Sequence, residues 1–474
     1  MNATSIDNTS LRRSFVLTAI FLAVLLRLML ATLNSSANDN HLAVGQYIAI
    51  HNSFPSTNEV RQAYQPMLYH AVLGAQIIAI INQPYHVHVR LAQLVNVAAG
   101  MVTLYVAWAF INKTQLSDKT KLISFSLVAL NPRLIGTNVQ ITNDSFVIMF
   151  GTLALFFGYQ FLIRTSIRDY VFMVICAVLA SASKANGLVI AIAIVLSMMI
   201  GIIKKVNIKR GTYLKLTLVF IVLFMQTAFI TGSYWRNLQN HGSIFWVPYP
   251  TSVWPSWSQE TKVGRAGIVS VKKAIFSFPI FSLLSKPYID FLPNYDYEQK
   301  SYPDHQTSIW TTFLGRASIL QFEGPPSWVT AMDRRSSREV LMGRLLIIIS
   351  LVPLMILFTG FLRKIISLFL NLFVQQRPNS VFLGDLLLMS ALTGYIMFVV
   401  FFSFRYRDFS SMKVIYIYPA IIGIAYVFAG ELEKYYKVLS KHLGKRLVLL
   451  FDGVWMATII LYVANVFMLL GQLK

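Results

Sequence analysis

Two acidic residues stand out because each lies beside a long apolar run. Asp39 follows closely on the apolar stretch 13–33, and His41 stands two residues further on. Asp144, in the stretch QITNDSFVIMF, opens another apolar run. A positioned carboxylate can accept a proton from a reacting group, but each acid also has an ordinary interpretation. Asp39 fits a solvated loop acid, and Asn143 or Asp144 fits a helix N-cap.

Several basic residues form a second set, which the charge pattern described below places on the outer side of a membrane. They are Lys184, Arg236, Arg405, Arg407 and Lys413. Lysine and arginine at helix ends commonly anchor the helix in the membrane. Cations are disfavoured on the outer side, however, so several together there indicate a bound anion. Arg27 interrupts an apolar run, where a charge is costly, and is predicted to face the interior of the helix bundle.

Metal-binding and disulfide chemistry have little support in the sequence. His86 and His88 form an HxH pair, but no carboxylate pattern accompanies it, so it is weak evidence for a metal site. Cys176 is the single cysteine of the sequence, so an intrachain disulfide is excluded. It lies inside an apolar run. No cofactor is indicated, and a requirement for a divalent metal stays open.

The composition is that of a membrane protein. Of the 474 residues, 56 % are hydrophobic and only 13 % are charged. Repeated long apolar runs predict an all-α polytopic membrane protein with about 11 transmembrane helices. The first run is too long for the core of a signal peptide and is interpreted as an uncleaved helix. The predicted helices are 13–33, 89–111, 121–136, 145–163, 170–183, 187–203, 212–231, 341–362, 380–402, 414–430 and 447–471.

The distribution of charge predicts the topology. The formal net charge of +22 comes from basic residues that cluster in short loops, which argues against a nucleic-acid partner. With the N-terminus inside, the short cytoplasmic segments hold 19 Lys and Arg in 64 residues, and the short outer segments hold 5 in 79. Making the apolar stretch 67–82 a span would destroy this bias. It is therefore predicted to be an interfacial helix within the first outer loop, 34–87.

The chain is predicted to consist of three parts. Residues 1–231 form an N-terminal transmembrane catalytic module that includes the first outer loop. Residues 232–340 form a large outer loop with nine of the sixteen prolines and six of the eight tryptophans. So long a loop is expected to be a small extramembrane domain of mixed structure. Residues 341–474 contribute the C-terminal transmembrane helices.

The order and spacing of several motifs resemble a known family. The motifs are the acid Asp39 after the first helix, YQPMLYH in 64–70, a helix that begins near Arg90, NPRLIGTNVQITND in 131–144, SKANG in 183–187, a large outer loop after the seventh helix, and MKVIYIYPA in 412–420. The chain resembles the GT-C membrane glycosyltransferases, in the branch that holds protein O-mannosyltransferases and the aminoarabinose and galacturonic acid transferases of lipid A. The resemblance covers most of the chain. Asn38-Asp39 replaces the usual acid pair, which leaves Asp39 as the only candidate base there, and Met67 replaces a proline.

The resemblance implies a hexosyl or pentosyl transferase that uses a sugar on a polyprenyl phosphate. Asp39 would be the general base for an acceptor hydroxyl, with inversion, and Asp144 would orient the acceptor or a metal. Substrate-binding roles would fall to His41 and Tyr69 and to the outer cations Lys184, Arg236, Arg405, Arg407 and Lys413. The expected location is the bacterial inner (plasma) membrane, among membrane lipids, with the site facing outward. The acceptor stays open between lipid, glycan and protein.

Two functions from other classes compete with this interpretation. A transporter or flippase of lipid-linked sugars would be favoured by inverted repeats and by broken helices in matching halves. The sequence shows neither feature. A non-catalytic membrane scaffold would not explain the outer cations.

Overall fold

The computed structural model describes residues 8–35, 40–204, 206, 210–230, 233–244, 271–288, 304, 308–320, 336–375, 379–406, 413–442 and 444–471. Within these residues the protein is helical, and no strand occurs. In the first half the helices are α1 Asn8–Leu33, α2 His41–His51, α3 Leu68–Ala79, α4 Tyr85–Asn112, α5 Asp118–Ala129, α6 Pro132–Asn138, α7 Asp144–Arg164, α8 Ile167–Ser183, α9 Leu188–Ile203 and α10 Arg210–Ile230. In the second half they are α11 Ser233–His241, α12 Val271–Phe276, α13 Ile280–Ser285, α14 Ile309–Ser318, α15 Ser337–Phe369, α16 Ser380–Tyr406, α17 Ile421–His442 and α18 Gly444–Leu470.

The helices confirm a multi-pass membrane protein. Within the described residues, eight helices are long and apolar enough to cross a membrane. The three other predicted spans coincide with shorter or less apolar helices, namely α5 with α6, α8, and α10, so the total of eleven stays a prediction. Helix α3 has 12 residues. At about 1.5 Å per residue it is shorter than the ~30 Å hydrocarbon core, as its interpretation as an interfacial helix requires.

Two predicted helices have different boundaries for identifiable reasons. The stretch 121–136 is divided at Asn131, whose side chain accepts a hydrogen bond from the Leu134 backbone N–H and so begins α6. The stretch 414–430 begins as a 3₁₀ turn, Val414–Ala420, that contains Pro419. Proline removes a backbone donor and interrupts an α-helix.

Helix α7 is the central element of the bundle. It packs against α4, α8 and α16 and against the turn 414–420. Close approach depends on glycine, because a Cβ at Gly151 would come within 2.8 Å of Pro419 Cβ. A Cβ at Gly158 would likewise come within 2.9 Å of Leu387 Cδ2. The contact at Gly151 therefore fixes the N-terminal half of α7, which begins at Asp144, relative to the turn 414–420. This end of the bundle is predicted to face outward and is called the outer end below.

Arg27 lies inside the bundle, as the sequence predicts. The side chain is fully buried. Its guanidinium donates hydrogen bonds to Asn138 Oδ1 at 3.0 Å, to the Ala129 carbonyl at 3.1 Å and to the Ala23 carbonyl of its own helix at 2.9 Å. A charged donor thus joins α1 to α5 and α6, and three acceptors offset part of the cost of burying it.

The described part of the large outer loop is helical. It comprises α11 to α14, and α13 and α14 pack against α15 through an apolar cluster that includes Leu283, Leu314 and Leu346. These residues carry no strand, so the mixed structure predicted for 232–340 is not seen in them. The division of the chain into three parts stays a prediction.

Candidate functional site

Asp144 is a buried acid at the start of α7, at the end of the bundle that the charge pattern predicts to face outward. Its side chain is 8 % exposed, and Oδ2 accepts a hydrogen bond from Thr142 Oγ1 at 3.0 Å. Asn143, the preceding residue, makes no side-chain cap to the helix. It donates instead to Gln65 Oε1 at 2.5 Å and to the Ser183 carbonyl at 3.0 Å. Asn143 is therefore at the N-cap position, as the sequence suggested for Asn143 or Asp144, but its side chain ties the start of α7 to neighbouring segments and does not cap the helix.

Lys184 forms an ion pair with this acid. The Lys184 Nζ lies 2.6 Å from Asp144 Oδ1 and 5.1 Å from the centroid of the Tyr416 ring. The lysine occupies an extended backbone position between α8 and the 3₁₀ turn Ala185–Gly187. That turn requires Gly187, because a Cβ there would lie 2.4 Å from the Ala180 carbonyl. Lys184 thus connects α7 to the turn 414–420, because it forms an ion pair with Asp144 and lies over the face of the Tyr416 ring.

Lys413 supplies a second cation. It immediately precedes the turn 414–420 and interacts electrostatically with Asp144. Among the described residues, no carboxylate lies within ion-pair distance of Lys413, in contrast to Lys184. Tyr418, in the same turn, donates to Asn131 Oδ1 at 3.1 Å and attaches the turn to the start of α6. The structure therefore brings Asp144, Lys184 and Lys413 together.

Asp39 lies outside the described residues, but the residues on both sides of it can be placed. At the end of α1, the Asn34 carbonyl accepts hydrogen bonds from Gln93 at 3.0 Å and from Arg90. The Asn34 amide donates to the Val139 carbonyl at 3.5 Å, five residues before Asp144. Asn34 is thus attached close to the start of α7, and His41 reaches the same region through Tyr69, which contacts Phe146 of α7.

His41 and Tyr69 are close to each other and belong to one aromatic cluster. Their ring centroids are 5.7 Å apart, and Tyr69 also contacts Phe146 of α7 at 5.1 Å. The Tyr69 hydroxyl accepts a hydrogen bond from Asn96 Nδ2 at 3.0 Å. Asn96 donates as well to the Thr142 carbonyl at 3.0 Å. The cluster therefore joins the first outer loop to the residue that holds the Asp144 carboxylate.

His70 is a buried neighbour that the sequence did not single out. Its Nε2 lies 2.8 Å from His41 Nδ1, a hydrogen-bond distance. Burial, together with the nearby charges of His41 and Arg236, holds the pKa of His70 well below its usual value. A neutral imidazole can both donate and accept a hydrogen bond, so the two rings can bond to each other and link α2 to α3 within the cluster.

The remaining outer cations differ in how far the structure describes them. Arg236, in α11, donates to the Pro55 carbonyl at 3.3 Å and to the Ala63 carbonyl. Burial lowers the pKa of its guanidinium. Arg236 therefore holds the first outer loop against the large one. Arg405 belongs to the last turn of α16, its side chain lying outside the described residues, and Arg407 lies wholly outside them.

The described residues contain no group of three His, Cys, Asp or Glu side chains suited to a metal ion. His88, half of the HxH pair, lies with Nε2 3.1 Å from the Ile80 carbonyl. Besides His70, the described residues show three further contributors that the sequence analysis did not single out, namely Gln65, Asn96 and Gly151. Only Asn96 left a signal, because an amide inside an apolar helix usually has a specific partner.

Comparison with known proteins confirms the resemblance drawn from the motifs. The family model of dolichyl-phosphate-mannose-protein mannosyltransferases matches residues 69–229, a segment that contains Asp144 and Lys184. This match supports a GT-C membrane glycosyltransferase. A search among curated protein sequences gives no significant match.

One similar solved structure is the archaeal oligosaccharyltransferase AglB from Archaeoglobus fulgidus, in complex with an inhibitory peptide and a dolichol-phosphate. The alignment has 13 % identity and a TM-score of 0.48, and it covers 95 % of this chain. The chain spans 55 % of the length of that protein.

Proposed function

We propose that this chain transfers a sugar from a polyprenyl-phosphate-linked donor to an acceptor hydroxyl at the outer face of the membrane. The observation that carries the proposal is the meeting of Asp144, Lys184 and Lys413 where α7, α8 and the turn 414–420 come together. The matched family, whose description names a dolichyl phosphate sugar donor, adds support.

The chemistry requires one base and a source of positive charge. In our proposal Asp39 accepts the proton of the acceptor hydroxyl, whose oxygen forms a bond to the anomeric carbon. The bond from that carbon to the phosphate oxygen breaks, and the polyprenyl phosphate leaves with the electron pair. Because the oxygen attacks from the face opposite the phosphate, the anomeric configuration is inverted. The attachment of Asn34 and His41 near the start of α7 supports a base at this place.

Cations stabilise the leaving phosphate most where its charge grows. Lys184 is already paired with Asp144, so part of its charge is compensated. Lys413 has no such pair among the described residues and is the preferred ligand of the donor phosphate. Asp144 would then keep both lysines in place and orient the acceptor. Arg405 and Arg407 remain candidates for binding the same phosphate. Tyr69 and His41 remain candidates for binding the part of the substrate beside it.

The direct test incubates the purified protein with a panel of polyprenyl-phosphate sugars and measures release of polyprenyl phosphate. We expect release with one sugar of the panel, and release slower by about 10²-fold or more from the Asp39→Asn protein. Release by Asp39→Asn at the rate of the unmodified protein would remove Asp39 from the mechanism. Failure of every hexosyl and pentosyl donor with correctly folded protein would contradict the function.

The outward orientation of the site has its own test, motivated by the charge bias. Single cysteines at Ser53 and Gln115, both exposed, are introduced in a Cys176→Ala background. Gln115 is preferred to the nearby Ser117, whose hydroxyl is bonded to Glu433 at 2.6 Å. A membrane-impermeant thiol reagent applied from outside should label Ser53→Cys only. Labelling of both from the same side would mean that 67–82 crosses the membrane.

A further inference from the structure

An apolar groove lies on the surface of the bundle between α15 and α18. Its volume is about 670 Å³. It is lined by Ile349, Arg446, Leu449, Leu450, Gly453, Val454 and Ala457. Arg446 is the only charged residue among them. Gly453 faces open space in the groove, because a Cβ at this position would meet no atom within 4 Å.

The length of the groove matches one leaflet of a bilayer. Arg446 lies near the start of α18, and Ala457 lies eleven residues further on. At about 1.5 Å per residue the groove is ~17 Å long, close to half of the ~30 Å hydrocarbon core. A transmembrane helix of a partner would contact a surface about twice as long. An acyl chain of a single leaflet fits the observed length.

The mouth of the groove carries uncompensated positive charge. Lys441, Lys445 and Arg446 are exposed around the turn at Gly444, and no ion pair of theirs occurs among the described residues. The nearby acids are already engaged. Asp452 binds Lys119 Nζ at 2.5 Å, and Glu433 accepts hydrogen bonds from the hydroxyls of Ser117 and Thr120 and pairs with Lys437 at 3.7 Å.

We infer that this groove binds an anionic phospholipid from the leaflet at the basic end of the bundle. The planar guanidinium of Arg446 holds the phosphate with paired N–H donors, and Lys445 and Lys441 add charge. One acyl chain lies along the apolar side chains of α18. Clustered cations next to a transmembrane helix favour anionic over zwitterionic headgroups.

This site is separate from the proposed donor site. Helix α17 connects the turn 414–420 at the outer site to His442 near the groove, and its 22 residues extend over about 33 Å. The two sites therefore lie at opposite ends of the bundle. The inference does not depend on the proposed sugar transfer.

The test reconstitutes the full chain in nanodiscs of phosphatidylcholine with a minor fraction of phosphatidylglycerol. The protein is then extracted in detergent, and the two lipids that remain bound are measured by mass spectrometry. For Arg446→Gln we expect the bound ratio of phosphatidylglycerol to phosphatidylcholine to decrease about fivefold, as loss of one interfacial cation predicts. Gly453→Leu should decrease the bound amount of both lipids because its side chain fills the groove.

Two matched variants control for charge and for bulk. Lys204→Gln removes a cation at the end of α9, and Gly211→Leu adds the same side chain at an open glycine of α10. Both should keep the ratio and the amount of bound lipid of the unmodified protein. Melting in lipid-free detergent identifies any variant that fails to fold, and Gly453→Ala then replaces Gly453→Leu.

The inference is overturned if Arg446→Gln and Gly453→Leu retain both lipids as the unmodified protein does. It is also overturned if the lipids are unchanged while Gly453→Leu abolishes cross-linking between two copies of the chain, because the groove would then hold a partner helix. Equal losses in the Lys204→Gln control would show a general effect of surface charge and would likewise contradict a specific site.

Discussion

The bundle contains a similar Lys–Asp–Tyr group at each end. At the outer end Lys184 lies 2.6 Å from Asp144 and 5.1 Å from the centre of the Tyr416 ring. At the other end Lys364 lies 2.7 Å from Asp385 and 4.7 Å from the centre of the Tyr426 ring. The residue types and the distances nearly coincide, so the ion pair by itself does not mark a functional site.

The difference lies in what surrounds the two pairs. In both groups each carboxylate oxygen has a partner, which is Lys364 or Tyr426 for Asp385 and Lys184 or Thr142 for Asp144. The inner group contains one lysine and one aspartate, so the pair is formally neutral. In the outer group a further cation, Lys413, acts on the acid, which gives the three charged groups a formal charge of +1. A neutral pair joins helices, whereas a surplus cation near the surface can attract an anion.

The largest effect is expected for Asp39→Asn. The change keeps the size of the side chain and removes its basicity, so turnover should decrease about 10²-fold or more. Protein level should stay normal. Turnover is measured as release of polyprenyl phosphate from the preferred donor. Glu59→Gln is the matched control, because Glu59 is an exposed acid of the same outer loop whose carboxylate is bonded to Tyr47.

The surplus cation is tested by Lys413→Ala. Transfer should decrease by about 10- to 10³-fold, because the growing charge of the phosphate loses its preferred ligand. Lys413→Arg should recover part of the activity. A higher KM alone would mean that Lys413 binds the donor equally in both states, and a lower kcat would mean that it acts in the transition state.

Lys273→Ala provides the comparison for Lys413, since Lys273 is a cation of the outer loop that is paired with Asp304 at 2.6 Å. It should leave both constants unchanged. Unchanged kcat and KM for Lys413→Ala at normal expression would mean that Lys413 only anchors its helix end in the membrane. The donor phosphate would then have to bind elsewhere.

Exchanging the partners of each pair distinguishes structural from functional roles. Asp385→Ala should lower the free energy of unfolding by about 2 kcal/mol, because it removes hydrogen bonds from a charged lysine and a tyrosine. The double variant Asp385→Lys, Lys364→Asp should regain stability relative to Asp385→Lys alone. The corresponding exchange of Asp144 and Lys184 should regain stability without activity. Thermal melting and turnover of the same preparations provide the two readouts, and recovered activity in the outer exchange would contradict the proposed site.

The smallest effect concerns the pH dependence of stability. The pKa of His70 is held below that of the unfolded chain, so the unfolded state binds more protons as the pH falls below about 6.5. Stability should therefore decrease through this range until the pH reaches the folded-state pKa. Melting temperatures between about pH 7 and pH 5 should fall less steeply for His70→Gln than for the unmodified protein. His51→Gln, at an exposed position, should retain the original slope, and equal slopes for all three would exclude His70 as the cause.

Hydropathy and charge were sufficient to predict the class of fold but not the pairs inside it. The topology placed Asp144 and Lys184 on the same side of the membrane, yet their contact across 40 residues depends on how α7 packs against α8. Asn143 occupies the N-cap position of α7, but its side-chain oxygen accepts no bond from the helix, while its Nδ2 donates to Gln65 and to the Ser183 carbonyl. Gly151 carries no visible signal, since its importance is apparent only when Pro419 is placed beside it.

The bonds of Arg27 have a consequence for how the chain is made. Two of its three acceptors belong to residues that are synthesised later. The Ala129 carbonyl lies 102 positions further along the chain, and the Asn138 side chain lies 111 positions further along. At a translation rate of about 5–20 residues per second, the first helix exists for roughly 5–20 s before those acceptors emerge from the ribosome. During that interval release into lipid would leave the guanidinium with only the Ala23 carbonyl of its own helix. We therefore expect α1 to stay beside the insertion machinery until α5 and α6 arrive, so that these segments enter the bilayer as one assembly.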